Sequence, residues 1–209
     1  MNRYRFFCLL SRAVLKLFFR IEVYGLDNVP PEGPFIIAPN HVSFIDPVAA
    51  GAFIERDMHY MARDSLFRMP LLGRLIRWCN AFPVSRDSPG AKTMKKALSV
   101  LKGGGGLLVF PEGRRSINGK LQKGTPGIGM LSVMAGAPVI PALIMGTDKA
   151  LPINGKWIRF AKTRVYFCRA LRPPPGASRD IYQRLAGEIM AALSEKREEV
   201  LNAGQDNIG

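Results

Sequence analysis

The sequence contains few cysteines and few histidines, and this scarcity limits the sites that it can build. Its three cysteines, Cys8, Cys79 and Cys168, are too few and too scattered for a disulfide framework. We therefore expect a reducing location that faces the cytosol. The two histidines, His41 and His59, have no cysteine cluster beside them, so no metal site is expected.

Acidic residues are also scarce relative to basic ones. The chain has 16 Asp and Glu against 30 Lys and Arg, which gives a formal net charge of +14. Such a charge indicates an anionic partner: nucleic acid, an anionic membrane surface, or acidic substrates and carriers. The basic residues are spread along the chain, and the sequence has no aromatic stacking block of the kind that binds nucleic acid. A non-catalytic basic protein that binds nucleic acid or membrane is therefore a distant alternative.

The apolar run at the start of the chain is too short to span a membrane. Residues 6–10 read FFCLL, and Ser11 and Arg12 end the run, whereas a spanning helix needs about 20 mostly apolar residues. The run is also shorter than the apolar region of a secretory signal, and no small-residue cleavage site follows it. We therefore expect this run to be neither a membrane-spanning helix nor a secretory signal.

Residues 1–20 instead show the pattern of an amphipathic helix. Arg12, Lys16 and Arg20 recur at every fourth position and share one helix face. The other side is apolar and consists of Leu9, Leu10, Ala13, Val14, Leu17 and Phe18. Five basic residues and no acidic one are typical of a helix in the headgroup region of an anionic bilayer. An ordinary helix packed on the domain is the alternative.

The rest of the chain predicts one α/β domain. Short apolar runs alternate with helical patterns, which indicates a mixed, largely parallel sheet of about six or seven strands flanked by helices. The predicted strands are residues 21–24, 35–38, 58–62, 81–84, 107–110, 138–145, 157–161 and 164–168. The predicted helices lie near residues 47–53, 71–79, 91–101, 127–135 and 178–201. We place the domain at residues 21–201 and a flexible polar tail at residues 202–209.

A first polar cluster, NHVSFIDP, follows the predicted strand 35–38. Loops past strand ends carry ligands in α/β folds, so His41 lies where a functional group is expected. Asp46 can fold back to hold one ring nitrogen of His41 and leave the other free as a base. The alternative is that Asp46 only begins the next helix and that His41 is an ordinary loop residue.

A second polar cluster, FPEGRRS, follows the predicted strand 107–110. Arginines beside a glycine suit an oxyanion or a phosphate. A solvated turn without a ligand is the alternative.

Together the two clusters resemble the two strongest signatures of the glycerolipid acyltransferase family, whose bacterial members include 1-acylglycerol-3-phosphate acyltransferases. Residues 23–34, VYGLDNVPPEGP, are similar to the family's lead-in to the histidine, and residues 139–142, VIPA, to its last block. The resemblance covers about residues 20–148.

The resemblance implies roles for individual residues. It makes His41 the general base and Asp46 the residue that orients and polarises it. It makes Glu112, Gly113 and Arg115 part of a block that binds the glycerol phosphate, in which Arg114 replaces the usual threonine. The acceptor hydroxyl attacks directly in this family, so no covalent acyl-enzyme is expected.

Two further arginines match the family less closely. FPVSR places Arg86 at the position of an arginine in the family's second block. MARDSLF places Arg63 where the family usually carries lysine, and a cation there can steady the thioester or a phosphate. Lys123 also matches a family lysine, to which we assign no role.

The resemblance implies a reaction and its partners. A fatty acyl group would move from acyl-CoA or acyl carrier protein to the free hydroxyl of 1-acylglycerol 3-phosphate, giving phosphatidic acid without a cofactor. Arg114 leaves open another acceptor, such as a different lysophospholipid or a hydroxyl-bearing amino lipid. The expected location is the cytoplasmic face of the cell membrane, as a peripheral or monotopic protein that binds no nucleic acid.

Overall fold

The computed structural model describes residues 3–85, 90–152, 155 and 157–205. The strands are β1 (Glu22–Tyr24), β2 (Phe35–Pro39), β3 (Met58–Arg63), β4 (Ala81–Val84), β5 (Gly106–Leu108), β6 (Val139–Met145) and β7 (Arg164–Phe167). The helices are α1 (Arg3–Phe19), α2 (Asp46–Gly51), α3 (Pro70–Trp78), α4 (Ala91–Lys102), α5 (Pro126–Ala135), α6 (Thr147–Ala150) and α7 (Arg179–Gln205). Two short 3₁₀ helices add Leu26–Asn28 and Asp64–Arg68.

These strands form a seven-stranded sheet with the order β1-β7-β6-β2-β5-β3-β4. The pairs β6/β2, β2/β5, β5/β3 and β3/β4 are parallel. Strand β7 is antiparallel to β6 and parallel to β1. The predicted fold class, a mixed and largely parallel sheet flanked by helices, is confirmed.

Apolar cores lie on both faces of the sheet, as the continuous apolar runs of its strands require. Side chains alternate along β2, so Phe35 and Ile37 enter one core while Ile36 and Ala38 enter the other. Helices α1 and α2 contribute buried residues to the first core, and α4, α5 and α7 contribute to the second.

The predicted amphipathic helix at the start of the chain is present as α1. Tyr4, Leu15 and Phe19 are its buried residues. The exposed apolar side chains of α1 are Phe6, Leu9, Leu10, Val14, Leu17 and Phe18. Arg12 departs from the predicted basic face, because it donates to the carbonyl oxygens of Ala52 and Ile54 beyond the end of α2.

Two sequence predictions differ from the structure. Residues 157–161 are not a strand: the sheet neighbours of β7 are β6 and β1, and Trp157, Ile158 and Phe160 are exposed. Helix α7 continues to Gln205 rather than ending at residue 201, so residues 202–205 belong to the helix and not to the predicted tail.

Candidate active site

The carboxyl ends of β2, β5 and β3 bring the two polar clusters together. These strands are parallel neighbours, so the loops that follow them meet at one edge of the sheet. Pro39 has no backbone N–H, and the side chain of Asn40 continues the pairing of β2 with β6. Its amide donates to the carbonyl oxygen of Ile144 at 3.0 Å and accepts the Ile144 N–H at 2.7 Å.

His41 and Asp46 form a hydrogen-bonded pair directly after β2. Their Nδ1 and Oδ2 atoms are 2.8 Å apart. The same oxygen accepts the backbone N–H groups of Val42 and Ser43, each at 2.6 Å, and this closes the turn that leads into α2. Asp46 therefore organises the start of the helix and also holds the histidine ring.

Thr147 completes the surroundings of Asp46 and was not found from the sequence. Its Oγ1 donates to Asp46 Oδ1 at 2.6 Å, and both residues are fully buried. Thr147 follows β6 and Gly146, whose φ of 90° is the left-handed conformation that favours glycine. A polar residue shortly after the end of a predicted strand was the available signal, since the same signal had drawn attention to His41 and Glu112.

The environment of the His41 ring favours the neutral imidazole. The ring stacks on Phe110 with centroids 3.7 Å apart, and its side chain is 16% exposed. Burial lowers the pKa of His41 below its ordinary value, the Asp46 hydrogen bond and charge oppose that shift, and the charge of Arg115 adds to it. A neutral ring held at Nδ1 by a carboxylate leaves Nε2 able to accept a proton.

Glu112 ties the two clusters together through the main chain. Its Oε1 accepts the His41 N–H and its Oε2 accepts the Gln122 N–H, both at 3.1 Å. The Ser116 N–H in turn donates to the His41 carbonyl oxygen at 2.7 Å. Burial raises the pKa of the Glu112 carboxyl, and its two backbone hydrogen bonds oppose that shift. Glu112 thus braces the loop that carries His41.

Gly113 makes the turn that follows. Its φ of 69° lies in the left-handed region, where a residue with a Cβ is strained. The Gly113 N–H donates to the Phe110 carbonyl oxygen at 3.0 Å, so the turn reverses the chain right after β5. This reversal places the following arginines at the same edge of the sheet as His41.

Arg115 presents a cation beside the histidine. Its guanidinium lies over the ring of Phe44, 3.7 Å from the centroid. Among the described residues its buried Nη1 has no hydrogen-bond partner. Burial lowers the pKa of the Arg115 guanidinium, the charge of Arg63 acts in the same direction, and Asp46 opposes it. Arg115 therefore places a positive charge beside the ring of His41.

The sequence singled out three other arginines besides Arg115. Arg63 is exposed at the carboxyl end of β3, close enough for its charge to act on Arg115. Arg114 points to its own loop, where its Nε donates to Gln122 Oε1 at 2.9 Å. Arg86 lies outside the described residues.

A cleft of about 300 Å³ opens beside the histidine loop. Val42 and Ser116 line it from the two clusters, and Asn118, Asp148 and Pro152 line its other sides. Within the described ranges, no group of three or more His, Cys, Asp or Glu is placed to hold a metal ion.

Comparison with known proteins identifies the family to which the chain is similar. The model of the Acyltransferase family matches residues 20–145. A 1-acyl-sn-glycerol-3-phosphate acyltransferase of Bacillus subtilis (strain 168) is 29% identical over 202 residues, 95% of this chain and 97% of that protein. One from Pseudomonas aeruginosa is 32% identical over 143 residues, 67% of this chain and 54% of that protein.

A solved structure is similar along most of the chain. The crystal structure of the 1-acyl-sn-glycerophosphate (LPA) acyltransferase PlsC from Thermotoga maritima superposes with a TM-score of 0.76 and 26% identity. The match covers 93% of this chain and 78% of that chain. The family match includes both polar clusters and most of the sheet that positions them. The chain belongs to the Acyltransferase family.

Proposed function

We propose that this acyltransferase moves a fatty acyl group from a thioester to the free hydroxyl of 1-acylglycerol 3-phosphate, giving phosphatidic acid. The His41–Asp46 pair at 2.8 Å, with the guanidinium of Arg115 close enough for its charge to act on the His41 ring, carries the proposal. The Bacillus and Thermotoga relatives, which are named for this acceptor, support it.

The proposed chemistry begins with proton removal by His41. The acceptor O–H gives its proton to Nε2 while its oxygen bonds to the thioester carbonyl carbon. The C–S bond then breaks, and the leaving thiolate takes the proton from the imidazolium, which returns His41 to its neutral form. Asp46 stabilises that imidazolium through Nδ1–H, and such proton transfer is typically worth about 10²–10⁴-fold in rate.

The proposed phosphate site uses Arg115 and Arg63. A guanidinium binds phosphate oxygens in pairs, and two such groups at adjacent strand ends suit a doubly charged head group. In the proposal, Glu112 and Gly113 position the loops around this phosphate site. Glu112 does so by accepting the His41 N–H, and Gly113 by making the left-handed turn before the arginines. The assignment of Arg86 to the arginine position of the family's second block remains a prediction from the sequence.

The acyl donor in the proposal is acyl-CoA or acyl carrier protein. Both are anionic, which agrees with a chain of net charge +14. Thioester transfer to a hydroxyl needs no redox group, so the proposal includes no cofactor. It also includes no nucleic acid partner.

We further propose that the protein acts at the cytoplasmic face of the membrane, held there as a peripheral or monotopic protein by α1. No helix among the described residues is long and apolar enough to cross a bilayer. The exposed apolar side chains of α1, with Leu17 74% exposed, support attachment to the bilayer surface.

A panel of acceptors tests the proposed reaction. The purified full-length chain is incubated in mixed micelles with acyl-CoA or acyl carrier protein thioester and one lysophospholipid at a time. Mass spectrometry should show phosphatidic acid as the preferred product. Equal or better acylation of another lysophospholipid or of an amino lipid would move the assignment to the alternative acceptor, and no product from any acceptor would end it.

A further inference from the structure

The segment from Trp157 to Phe160 is an exposed apolar segment next to the end of α1. Trp157 is 81% exposed, Ile158 67% and Phe160 80%. The Arg159 N–H donates to the Ala150 carbonyl oxygen at 2.8 Å, which ties the backbone of the segment to α6. Three large apolar side chains displayed together on a tied backbone are uncommon on a surface that meets only water.

Aromatic stacks join this segment to α1 and join α1 to α3. Phe160 stacks on Phe18 near the end of α1, with ring centroids 5.7 Å apart. Phe7 stacks on Trp78 at the end of α3, with centroids 5.9 Å apart. Because α3 also exposes apolar side chains, with Leu71 85% exposed, the three elements form one apolar surface. We call it the three-part surface.

Basic residues predominate in the three elements of the three-part surface, with Asp57 beside Arg5 of α1 and Glu22 beside Lys162 as neighbouring acidic groups. The sequence has no acidic residue before Glu22, and none between Asp64 and Asp87. It also has none between Asp148 and Asp180, which includes the 157–160 segment and its Arg159. Aromatic and aliphatic side chains among cations match the boundary between acyl chains and anionic headgroups, where tryptophan is also enriched.

The three-part surface reaches the edge of the sheet that carries the site. The 157–160 segment precedes β7, whose first residue Arg164 pairs with Met145 at the carboxyl end of β6. Helix α3 begins soon after Arg63, at the carboxyl end of β3. An occupant of this surface therefore lies beside the edge at which His41 would receive its acceptor.

We propose that the three-part surface is the membrane-binding surface of this protein, and that Trp157 and Ile158 insert into an anionic bilayer. The inference deepens the proposed function, because it gives the acceptor lipid a route from the bilayer to His41. The occupant is a lipid surface because the apolar area is bordered by cations, whereas a second copy would bring the same positive charges against them.

Tryptophan fluorescence tests insertion without any substrate. Trp157 and Trp78 are the two tryptophans of the chain, so the Trp78→Phe variant reports on Trp157 and keeps a ring against Phe7. Vesicles of phosphatidylcholine and phosphatidylglycerol should shift Trp157 emission to the blue, and acyl-brominated lipids should quench it. Unchanged emission from protein that sediments with the vesicles would overturn the proposal.

Vesicle sedimentation of matched variants measures the contribution of the segment. The Trp157→Ala/Ile158→Ala variant should partition at least about tenfold more weakly than wild type, equivalent to about 1.4 kcal/mol. The control Met134→Ala/Leu201→Ala removes exposed apolar side chains from α5 and α7 and should partition like the wild type. Equal losses in both variants would overturn the proposal. So would a dimer, seen without lipid, that only the Trp157→Ala/Ile158→Ala variant disrupts.

A transfer assay in detergent separates this inference from the proposed function. With a short-chain acceptor dispersed in micelles, the Trp157→Ala/Ile158→Ala variant should transfer acyl groups at the wild-type rate. A wild-type protein that inserts Trp157 yet transfers nothing would end the proposed function alone. A variant that loses activity in micelles would show that the segment serves the site directly, which would contradict its role in membrane binding.

Discussion

Thr147 and Asp46 lie 101 residues apart in the chain and are joined by a 2.6 Å hydrogen bond in which the threonine hydroxyl donates to Oδ1. The other carboxylate oxygen holds His41 and two backbone N–H groups. Because β6 lies next to β2 in the sheet, the first residue of α6 reaches the carboxylate oxygen that His41 does not contact. Both oxygens of Asp46 are thus held by hydrogen bonds. This fixes the orientation of the carboxylate and therefore the direction of its hydrogen bond to His41.

Substitution of Thr147 should therefore act through Asp46. Thr147→Val removes a hydrogen bond to a charged group, worth about 1.5–3 kcal/mol. We expect kcat to fall about tenfold or more while KM for the acceptor changes little. Thr147→Ser keeps the hydroxyl and serves as the control, with kcat near that of the wild type. Equal kcat values in the valine and serine variants would contradict this positioning role.

The pH dependence of kcat/KM for the acceptor should report the titration of His41 in the free protein. Only the neutral ring accepts a proton, so activity should be lost as pH falls through the pKa of His41, which burial holds below its ordinary value of about 6.5. The acceptor phosphate is titrated separately, so that its own ionisation can be separated from that of His41. Arg115→Gln removes a positive charge that lowers this pKa, so its acid limb should move to higher pH. A wild-type midpoint above that of an ordinary histidine would contradict the account.

Glu112→Gln tests whether this residue braces the site or binds the substrate. The amide can accept only one of the two backbone N–H groups that Glu112 accepts now. We expect the free energy of unfolding to fall by about 1–3 kcal/mol, which thermal melting measures as a lower Tm. Glu55→Gln removes the same charge from an exposed position and should melt like the wild type. An unchanged Tm with a raised acceptor KM would instead make Glu112 a substrate ligand.

Arg115→Gln tests the proposed phosphate site. Loss of a charged donor to phosphate should raise the acceptor KM by about tenfold or more. The neighbouring Arg114→Gln variant loses the same charge from a side chain that bonds to Gln122, so its KM should stay close to wild type. A change of acceptor preference in Arg114→Gln, with Arg115→Gln unaffected, would support the alternative acceptor.

Local sequence patterns predicted the positions of His41 and Glu112 well. Each follows a short apolar run that ends in a turn with proline, glycine or charge, and such runs form the parallel strands whose ends carry ligands. The contact between His41 and Asp46 was also open to prediction, because both residues lie in one turn. These features depend on residues close together in the chain.

Features that depend on strand order were not predictable in the same way. Thr147 reaches Asp46 only because β6 pairs with β2, and Glu112 reaches the His41 N–H only because β5 lies between β2 and β3. The short apolar run of residues 157–161 indicated a strand, but β7 already has β6 and β1 as neighbours in the sheet. The exposed side chains of Trp157, Ile158 and Phe160 instead form part of the three-part surface.

In the proposed reaction, His41 removes the proton from the acceptor hydroxyl. The most direct measurement of this role is the initial rate of phosphatidic acid formation by His41→Ala and wild type, at equal concentrations of protein whose fold is verified by thermal melting. We expect kcat of His41→Ala to be lower by at least about 10²-fold while the variant stays folded. A folded His41→Ala protein that forms phosphatidic acid at close to the wild-type rate would contradict this role of His41.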